Sequence, residues 1–340
     1  YAIGRDVEVD GVISLTQWAF IEFISAMNGL KTDSGVIQAE DLLSTIEEGT
    51  DREGTIFLST LFDVLIDSMN GETLKANGIN VLTSTESLFG SKDLMIYTRN
   101  TEIQSQIVKI GWGGALSNSR GDRLAVVDSN VGWNKVDRNI DRKYSYQVDL
   151  SDVKTPRAKL ELEYANLSVI ADNICDVQKH VGGQYEILLD GCYWNYVRVY
   201  LPLGAELVSG DSLPLEPGSI AVRVGGQVAG RDTVGLTYDD NGVHISGFMA
   251  VNPQEVRTVT FNYLLPRQVL RIESGAFEYT LDVVVQGGTR GREGVVSVIL
   301  PDGYELIEAA NSVRVSPNLV EIAVNPERDD VIRLVLRESS

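Results

Sequence analysis

The spacing of apolar residues changes period near residue 139, and that change limits the folds open to the chain. Before it, apolar residues recur at intervals of three and four, the spacing of one helix face. Leu58, Leu61, Phe62, Leu65, Ile66 and Met69 form the clearest stripe, stopped by Asn70-Gly71. Phe20, Phe23, Ile24 and Met27 form another, stopped by Asn28-Gly29. Ahead of it, Ser14-Leu15-Thr16-Gln17 reads as a capping box in which Ser14 and Gln17 satisfy the first backbone donors. Further helices are expected over 39–48, ended by Gly49, and around Ile103, Ile107 and Ile110, ended by Gly111. Short strands at 93–98 and 124–127 are interspersed. Helices alternating with strands predict an α/β unit over residues 1–138.

After residue 139 the period becomes two, the signature of a half-buried strand. Tyr144, Tyr146 and Val148 alternate with polar residues, as do Leu160, Leu162 and Tyr164. A strand at 196–201 ends at Pro202, and one at 256–264 stops before Pro266. Asp239-Asp240-Asn241-Gly242 is a hairpin-turn signal between 236–238 and 243–245. Short strands with turns at regular intervals predict a β-sandwich over 139–270. A second set at 279–285, 295–300, 312–315, 319–324 and 331–336 predicts a small immunoglobulin-like domain over 271–340. The glycine-rich stretch 287–294 lacks a Gly-Lys-Ser/Thr ending and a following helix, so it is not a phosphate loop. The expected fold class is α+β multidomain: an N-terminal α/β unit, the C-terminal part of a larger domain, followed by two β-sandwich domains.

The two cysteines, Cys175 and Cys192, lie 17 positions apart across a run containing Gly182 and Gly183. That run can turn the chain back on itself. Two reduced core cysteines are one reading. A disulfide is the expectation, worth roughly 3 kcal/mol for a loop of this size, and it implies an oxidising compartment. The chain has 48 acidic against 29 basic residues, a formal net charge of -19. Such a surface repels phosphate backbones and anionic headgroups, which argues against nucleic-acid and peripheral membrane binding. No run of about 18 apolar residues marks a membrane span. The chain opens at Tyr1 rather than methionine, so any signal or anchor is expected upstream.

Several segments carry a family resemblance as a set. They are Gly11-Val12-Ile13-Ser14-Leu15 and Leu94-Met95-Ile96-Tyr97-Thr98-Arg99, the latter leading to Gly111-Trp112-Gly113-Gly114-Ala115-Leu116. Next come Gly121-Asp122-Arg123-Leu124-Ala125-Val126-Val127-Asp128-Ser129-Asn130 and Asn134-Lys135-Val136. Tyr196-Val197-Arg198-Val199-Tyr200-Leu201-Pro202, with Gly204, and Tyr263-Leu264-Leu265-Pro266 complete the pattern. From about Gly11 to its end the chain resembles the bacterial domain-of-unknown-function family 4012. The resemblance implies an N-terminal membrane anchor with the bulk of the protein outside the cytoplasm, in bacteria that often encode it near envelope polysaccharide genes. The N-terminal part of that family is faintly similar to the LytR-CpsA-Psr phosphotransferases, which move glycan polymers onto the cell wall. Their arginines and aspartates would mostly precede Tyr1, which leaves Arg5, Asp6 and Arg99 as the candidates within this chain.

Asp128, Asn130, Asn134 and Lys135 are the candidate ligand-binding residues, Asp128 and Asn130 for a cation or sugar hydroxyls and Lys135 for an anion. The competing role is structural, since short carboxylate and amide side chains hold turns through local hydrogen bonds. Asp128-Ser129-Asn130-Val131-Gly132 begins like a calcium loop, and Asp137 and Asp141 could add oxygens, but Trp133 and Asn134 break the pattern and no glutamate follows at the right distance; no metal site is expected. His180 and His244, the only histidines, are expected to be exposed polar residues, without the partners of a triad or zinc site. The pairs Glu47-Glu48, Asp239-Asp240 and Asp329-Asp330 are adjacent in sequence and read as turns and helix ends rather than as carboxylates flanking one glycosidic bond. Of the tryptophans, Trp18 is expected along its helix, while Trp133 and Trp194 are the better sugar-stacking candidates. Asn166-Leu167-Ser168 fits a glycosylation sequon.

The sequence therefore points to a non-enzymatic surface or secreted protein with a structural, adhesion or envelope-assembly role, its partners envelope glycan or other surface proteins, and no cofactor. An envelope glycan-handling phosphotransferase or accessory is the alternative from resemblance. A self-assembling surface-layer or filament subunit is the third reading.

Overall fold

The computed structural model describes residues 8–33, 35–69, 72–116, 121–169, 175–180, 188–239, 242–273, 276–289, 291–309 and 312–338. Arg5, Asp6, Asn70, Gly71, Gly182, Gly183, Asp240 and Asn241 lie outside these residues, as does the His180 side chain. The chain divides into two compact units, Tyr1–Ser117 and Asn118–Ser340.

In the first unit, strand β1 (Gly11–Leu15) leads into helix α1 (Gln17–Ala26). A hairpin follows, β2 (Leu30–Thr32) and β3 (Gly35–Ile37). Helices α2 (Leu42–Glu53), α3 (Thr55–Ser68) and α4 (Glu72–Gly90) come next, then β4 (Leu94–Thr98) and α5 (Thr101–Lys109). The β2–β3 hairpin is a two-stranded sheet of its own, and β1 and β4 form another, paired antiparallel from Gly11↔Thr98 to Leu15↔Leu94. That pairing explains why the expected capping box does not form. Ser14 is drawn into β1, and Thr16 becomes the N-cap, its hydroxyl donating to Asp93 (2.6 Å) and accepting no bond from the helix backbone. The stop at Asn28-Gly29 holds. Both residues adopt left-handed backbone, and Gly29 N–H donates to Ile24 O (2.9 Å), closing the last turn. Gly49 does not end α2; it lies inside it, and Gly54, at φ 63, separates α2 from α3. Phe23, Ile24, Leu42, Leu61, Leu65 and Leu88 belong to the core of this unit.

The second unit is a two-sheet sandwich. Its strands are β5 (Asp122–Asn130), β6 (Ile140–Asp149), β7 (Arg157–Asn166), β8 (Tyr193–Leu201) and β9 (Glu206–Gly210). After a short helix, α6 (Ile220–Arg223), come β10 (Gly235–Asp239), β11 (Gly242–Val251), β12 (Val256–Leu264) and β13 (Leu270–Glu273). The last six are β14 (Ala276–Val284), β15 (Glu293–Ile299), β16 (Tyr304–Ala309), β17 (Ser312–Ser316), β18 (Leu319–Ala323) and β19 (Asp330–Glu338). One sheet runs β10-β11-β8-β5-β14-β19-β16, with β13 also on β14; the other runs β17-β18-β15-β6-β7-β12-β9.

Two boundaries differ from the sequence-based expectation. Strand β5, expected in the α/β unit, belongs to the second unit and pairs with β8 and β14. The expected division at 270/271 is a seam within continuous sheets, not a separation of domains. Strands β5–β12 supply one half of each sheet and β14–β19 the other. The halves join through two parallel pairings, β14 on β5 and β15 on β6. A single core cluster spans both halves, including Leu124, Tyr146 and Val199 on one side of the seam and Leu281, Val298 and Leu334 on the other. Alternation cannot distinguish these arrangements, because strands at a seam and strands in separate sandwiches bury one face alike.

Candidate functional site

The polar cluster of greatest chemical interest lies inside the sandwich, on β5. Period-two geometry places Asp122, Leu124, Val126 and Asp128 on one face, and all four are buried. The two carboxylates sit roughly 20 Å apart along the strand, at about 3.3 Å per residue. Each receives hydrogen bonds from both halves of the sandwich.

Asp128 is the better connected. Tyr164 hydroxyl (2.8 Å) and Asn195 Nδ2 (2.7 Å) donate to its Oδ1. Arg142 Nε (3.1 Å) and Arg292 Nη2 donate to Oδ2. Tyr164, Asn195 and Arg142 come from β7, β8 and β6, whereas Arg292 arrives from beyond the seam. Arg142 spends its other donors on Asp137 O, Ile140 O, Asp137 Oδ1 and Tyr193 hydroxyl. Burial alone would raise the Asp128 carboxyl, but Arg292, Arg142 and the Asn195 and Tyr164 hydrogen bonds outweigh it and hold it below the usual carboxylate range. Burial likewise works against the charge on Arg142, and Tyr193 and Asp128 overcome it. A carboxylate held ionised with its lone pairs spent on four donors is a poor proton acceptor.

Gln286 secures the end of β5. The β14 pairing reaches only Ala125↔Val284. Beyond it, Gln286 Oε1 accepts from Asp128 N (2.8 Å) and Gln286 Nε2 donates to Asp128 O (2.9 Å), so a side-chain amide continues the ladder.

The other sequence candidates build the turn that follows β5. Asn130 Nδ2 donates to Asn134 Oδ1 and Asp137 Oδ2 (2.7 Å each), and Asn130 Oδ1 accepts from Gly132 N (2.9 Å). Asn134 Nδ2 donates to Cys192 O (2.8 Å). Lys135 is exposed, and its backbone N–H donates to Leu188 O (2.7 Å). Asp128, Asn130 and Asn134 thus enter one network through Asp137 and Arg142, while the Lys135 side chain lies at the surface. Asp137 is committed to Asn130 and Arg142, and no cluster of three or more metal-ligating side chains occurs among the described residues.

Cys175 and Cys192 form the expected disulfide, their Cα atoms 5.5 Å apart. Cys192, Val177, Trp194 and Ala250 make a small buried cluster beside it. Trp194 is therefore 3% exposed and no surface platform, because β8 turns its ring inward to the disulfide. Trp133 is 54% exposed. His244 also departs from expectation. It is buried on β11, with its ring 4.9 Å from that of Tyr200, because the hairpin continues into a sheet-interior strand. Asn166 of the sequon is buried and donates to Gly191 O (2.8 Å) and Val251 O (3.0 Å), leaving no amide for a glycan. Arg99 pairs with Glu8 (3.1 Å) at an exposed position.

At the second carboxylate, Tyr146 and Tyr279 hydroxyls both donate to Asp122 Oδ2 (2.7 Å each), one from each side of the seam. Burial, the largest influence, raises the Asp122 pKa from 3.8 to about 6 against the opposing effect of those hydrogen bonds.

Sequence reasoning missed Arg142, Tyr164, Asn195, Gln286 and Arg292. Arg142 carried a legible signal. It occupies the inward phase set by Ile140, Tyr144, Tyr146 and Val148, where a charge requires a buried partner. Arg292 stands in a loop with no periodicity to mark it.

No family model and no curated protein matches the chain. Among solved structures, it is similar to a Legionella pneumophila protein proposed to bind nutrients, at 8% identity and a TM-score of 0.34, over 64% of this chain and 71% of that one. A two-domain M1 zinc metallopeptidase bound to L-tryptophan is similar at 10% identity and a TM-score of 0.27, over 62% of this chain and 46% of that one. Neither likeness is close enough to bear on the site.

Proposed function

We propose that the chain is a non-enzymatic protein of the bacterial envelope or cell surface, acting outside the cytoplasm in structure, adhesion or assembly. The observation that carries this reading is the state of its buried charges. Asp128 is ionised, saturated and locked to two guanidiniums, an arrangement that stiffens a scaffold and makes this carboxylate a poor base or nucleophile. The Cys175–Cys192 disulfide supports the compartment, since such bonds persist where the surroundings oxidise. No helix among the described residues is long and apolar enough to cross a membrane. The resemblance to the domain-of-unknown-function family 4012 supports the same placement, with envelope glycan or other surface proteins as partners.

Alkylation followed by mass analysis of protein isolated without reductant should find Cys175 and Cys192 linked. Two free thiols would leave the compartment resting on the family resemblance alone. Incubation with lipid-linked glycans should give no turnover, and measured transfer would overturn the non-enzymatic reading in favour of glycan handling. Mass measurement of the purified chain tests the self-assembling alternative.

A further inference from the structure

The β1–β4 ribbon of the first unit has one edge closed and the other open. Arg99 N–H donates to Asp10 O and Thr16 N–H to Asp93 O, both at 2.9 Å. With the register running from Gly11↔Thr98 to Leu15↔Leu94, these two bonds fix the phase of the ladder. Val12 and Ser14 turn their backbone groups toward β4, and Gly11, Ile13 and Leu15 turn theirs away. The same alternation points Ile96 and Thr98 to the far side of β4, where both N–H groups are taken. Ile96 N donates to Trp112 O (3.0 Å) and Thr98 N to Gln104 Oε1 (2.8 Å). Among the described residues no strand lies along the far side of β1, since that sheet consists of β1 and β4 alone.

The open edge is also unguarded. Exposed edges ordinarily carry charge, proline or a bulge, which deter pairing with another chain. The terminal strands of the sandwich follow that rule. Glu206 stands in β9, Glu305 and Glu308 in β16 and Arg314 in β17, and the pairing of each strand with its neighbour shifts register. Strand β10 ends in Asp239. Strand β1, Gly-Val-Ile-Ser-Leu, has no charge, no proline and an unbroken register. Its Ile13 is 65% exposed and its Val12 49%, on opposite faces of the ribbon. β-Branched apolar residues on an open edge favour the addition of a further strand.

We propose that β1 pairs antiparallel with β1 of a second copy of this chain, closing a dimer through a four-stranded sheet in the order β4-β1-β1-β4. The outward residues and the charges both select this occupant. With the two-fold axis beside Ile13, that residue faces the partner subunit's Ile13, and Gly11 faces the partner subunit's Leu15. Each facing pair exchanges two backbone hydrogen bonds, so every outward donor and acceptor of β1 is used. Antiparallel pairing sets Asp10 opposite the partner subunit's Thr16. Parallel pairing would set it beside the partner subunit's Asp10, with like charges opposed. The same edge serves on both chains, so the assembly stops at two. Each chain carries a net charge of -19, which opposes the pairing, and salt therefore strengthens it by screening. A strand of 5 residues makes a small interface, and the dimer is correspondingly weak, about micromolar to millimolar in Kd.

The test uses the whole chain. In sedimentation equilibrium the mass should rise with concentration from 37.2 kDa toward twice that value and no further, and more readily at higher salt. Hydrogen exchange at the Gly11, Ile13 and Leu15 amides should slow over the same concentration range. Ile13→Glu opposes two carboxylates across the axis and should weaken the dimer about ten-fold or more. Ile13→Pro removes an outward N–H that β4 does not use, and should abolish the dimer. Both variants should keep a Tm close to that of wild type at low concentration; if the proline variant does not fold, Ile13→Glu alone decides. A monomer at every concentration up to about 1 mM, or a Kd that Ile13→Glu leaves unchanged, would overturn the proposal. So would an open series of masses, the mark of a filament or layer subunit. Protection of the three amides in a monomer would overturn it too, because another segment of the same chain would then occupy the edge. The non-enzymatic, extracytoplasmic reading uses none of these observations and is tested separately.

Discussion

Replacing Asp128 by alanine removes the one acceptor that Arg142 and Arg292 share. The side chains of the three residues are 3%, 7% and 11% exposed, so neither guanidinium recovers its charge partner from bulk water. Breaking a buried pair by deleting one member costs about 3–5 kcal/mol, chiefly through the uncompensated charge left behind. Arg142 keeps Asp137 and Tyr193, which offsets part of its loss, whereas Arg292 keeps no carboxylate among the described residues. For a unit in the size class of Asn118–Ser340, each kcal/mol moves Tm by about 2–4 °C. Asp128→Ala should therefore lower the Tm of that unit by roughly 6–20 °C, measured by calorimetry. Adding Arg292→Met to Asp128→Ala should recover part of the loss, because an apolar side chain no longer buries a charge. The sign with pH follows from the depressed Asp128 pKa. Its contribution is fully present above the unfolded carboxylate range and is lost as pH falls through the folded value, so the wild type and Asp128→Ala should converge in acid. A Tm drop under about 2 °C, or strict additivity in the double variant, would refute the reasoning.

Asp122 has the opposite sign. Its pKa is raised from 3.8 to about 6, so folding binds a proton between those values, and stability should fall by ~3 kcal/mol as pH rises from about 4 to about 6. Asp122→Asn should flatten that part of a denaturant-based stability profile. Cys175→Ser combined with Cys192→Ser should cost ~3 kcal/mol by urea unfolding, and dithiothreitol should no longer affect Tm. At Gly294 a Cβ would enter the space of the Tyr144 ring; Gly294→Ala should cost about 1–3 kcal/mol by urea unfolding.

The strands were legible wherever one face is buried and the other solvated. The strand expected at 256–264 is β12 to the residue, and 319–324 differs from β18 only at its end. Helix α4 was missed because apolar residues fall on more than one side of it. Val81 and Leu88 are buried while Ile79 and Leu82 are 75% and 67% exposed, which blurs a three-and-four stripe. Strand β16 hides for a related reason, since its residues lie at a sheet edge and are half-buried or exposed. Of the site, Asp128, Asn130 and Asn134 were legible because carboxylate and amide residues at a strand end need local partners. What they bind was not. Tyr164, Asn195 and Arg292 lie 36, 67 and 164 residues away from Asp128, and no local pattern reports a pairing across such distances. Trp194 and His244 were misplaced for the same reason, as their burial depends on neighbours remote in the chain.

The seam between the two halves also sets an order of events during synthesis. Strands β5 and β6 are complete early, yet the partners that cover one flank of each, β14 and β15, emerge well over a hundred residues later. Until then both strands present open hydrogen-bonding edges, the kind of surface that recruits other chains. Pairings between such distant segments raise contact order and slow folding, because loop entropy must be overcome before contacts reward it. The unit is consequently most vulnerable to aggregation between the synthesis of β6 and that of β15, and its cooperative closure awaits the second half of each sheet.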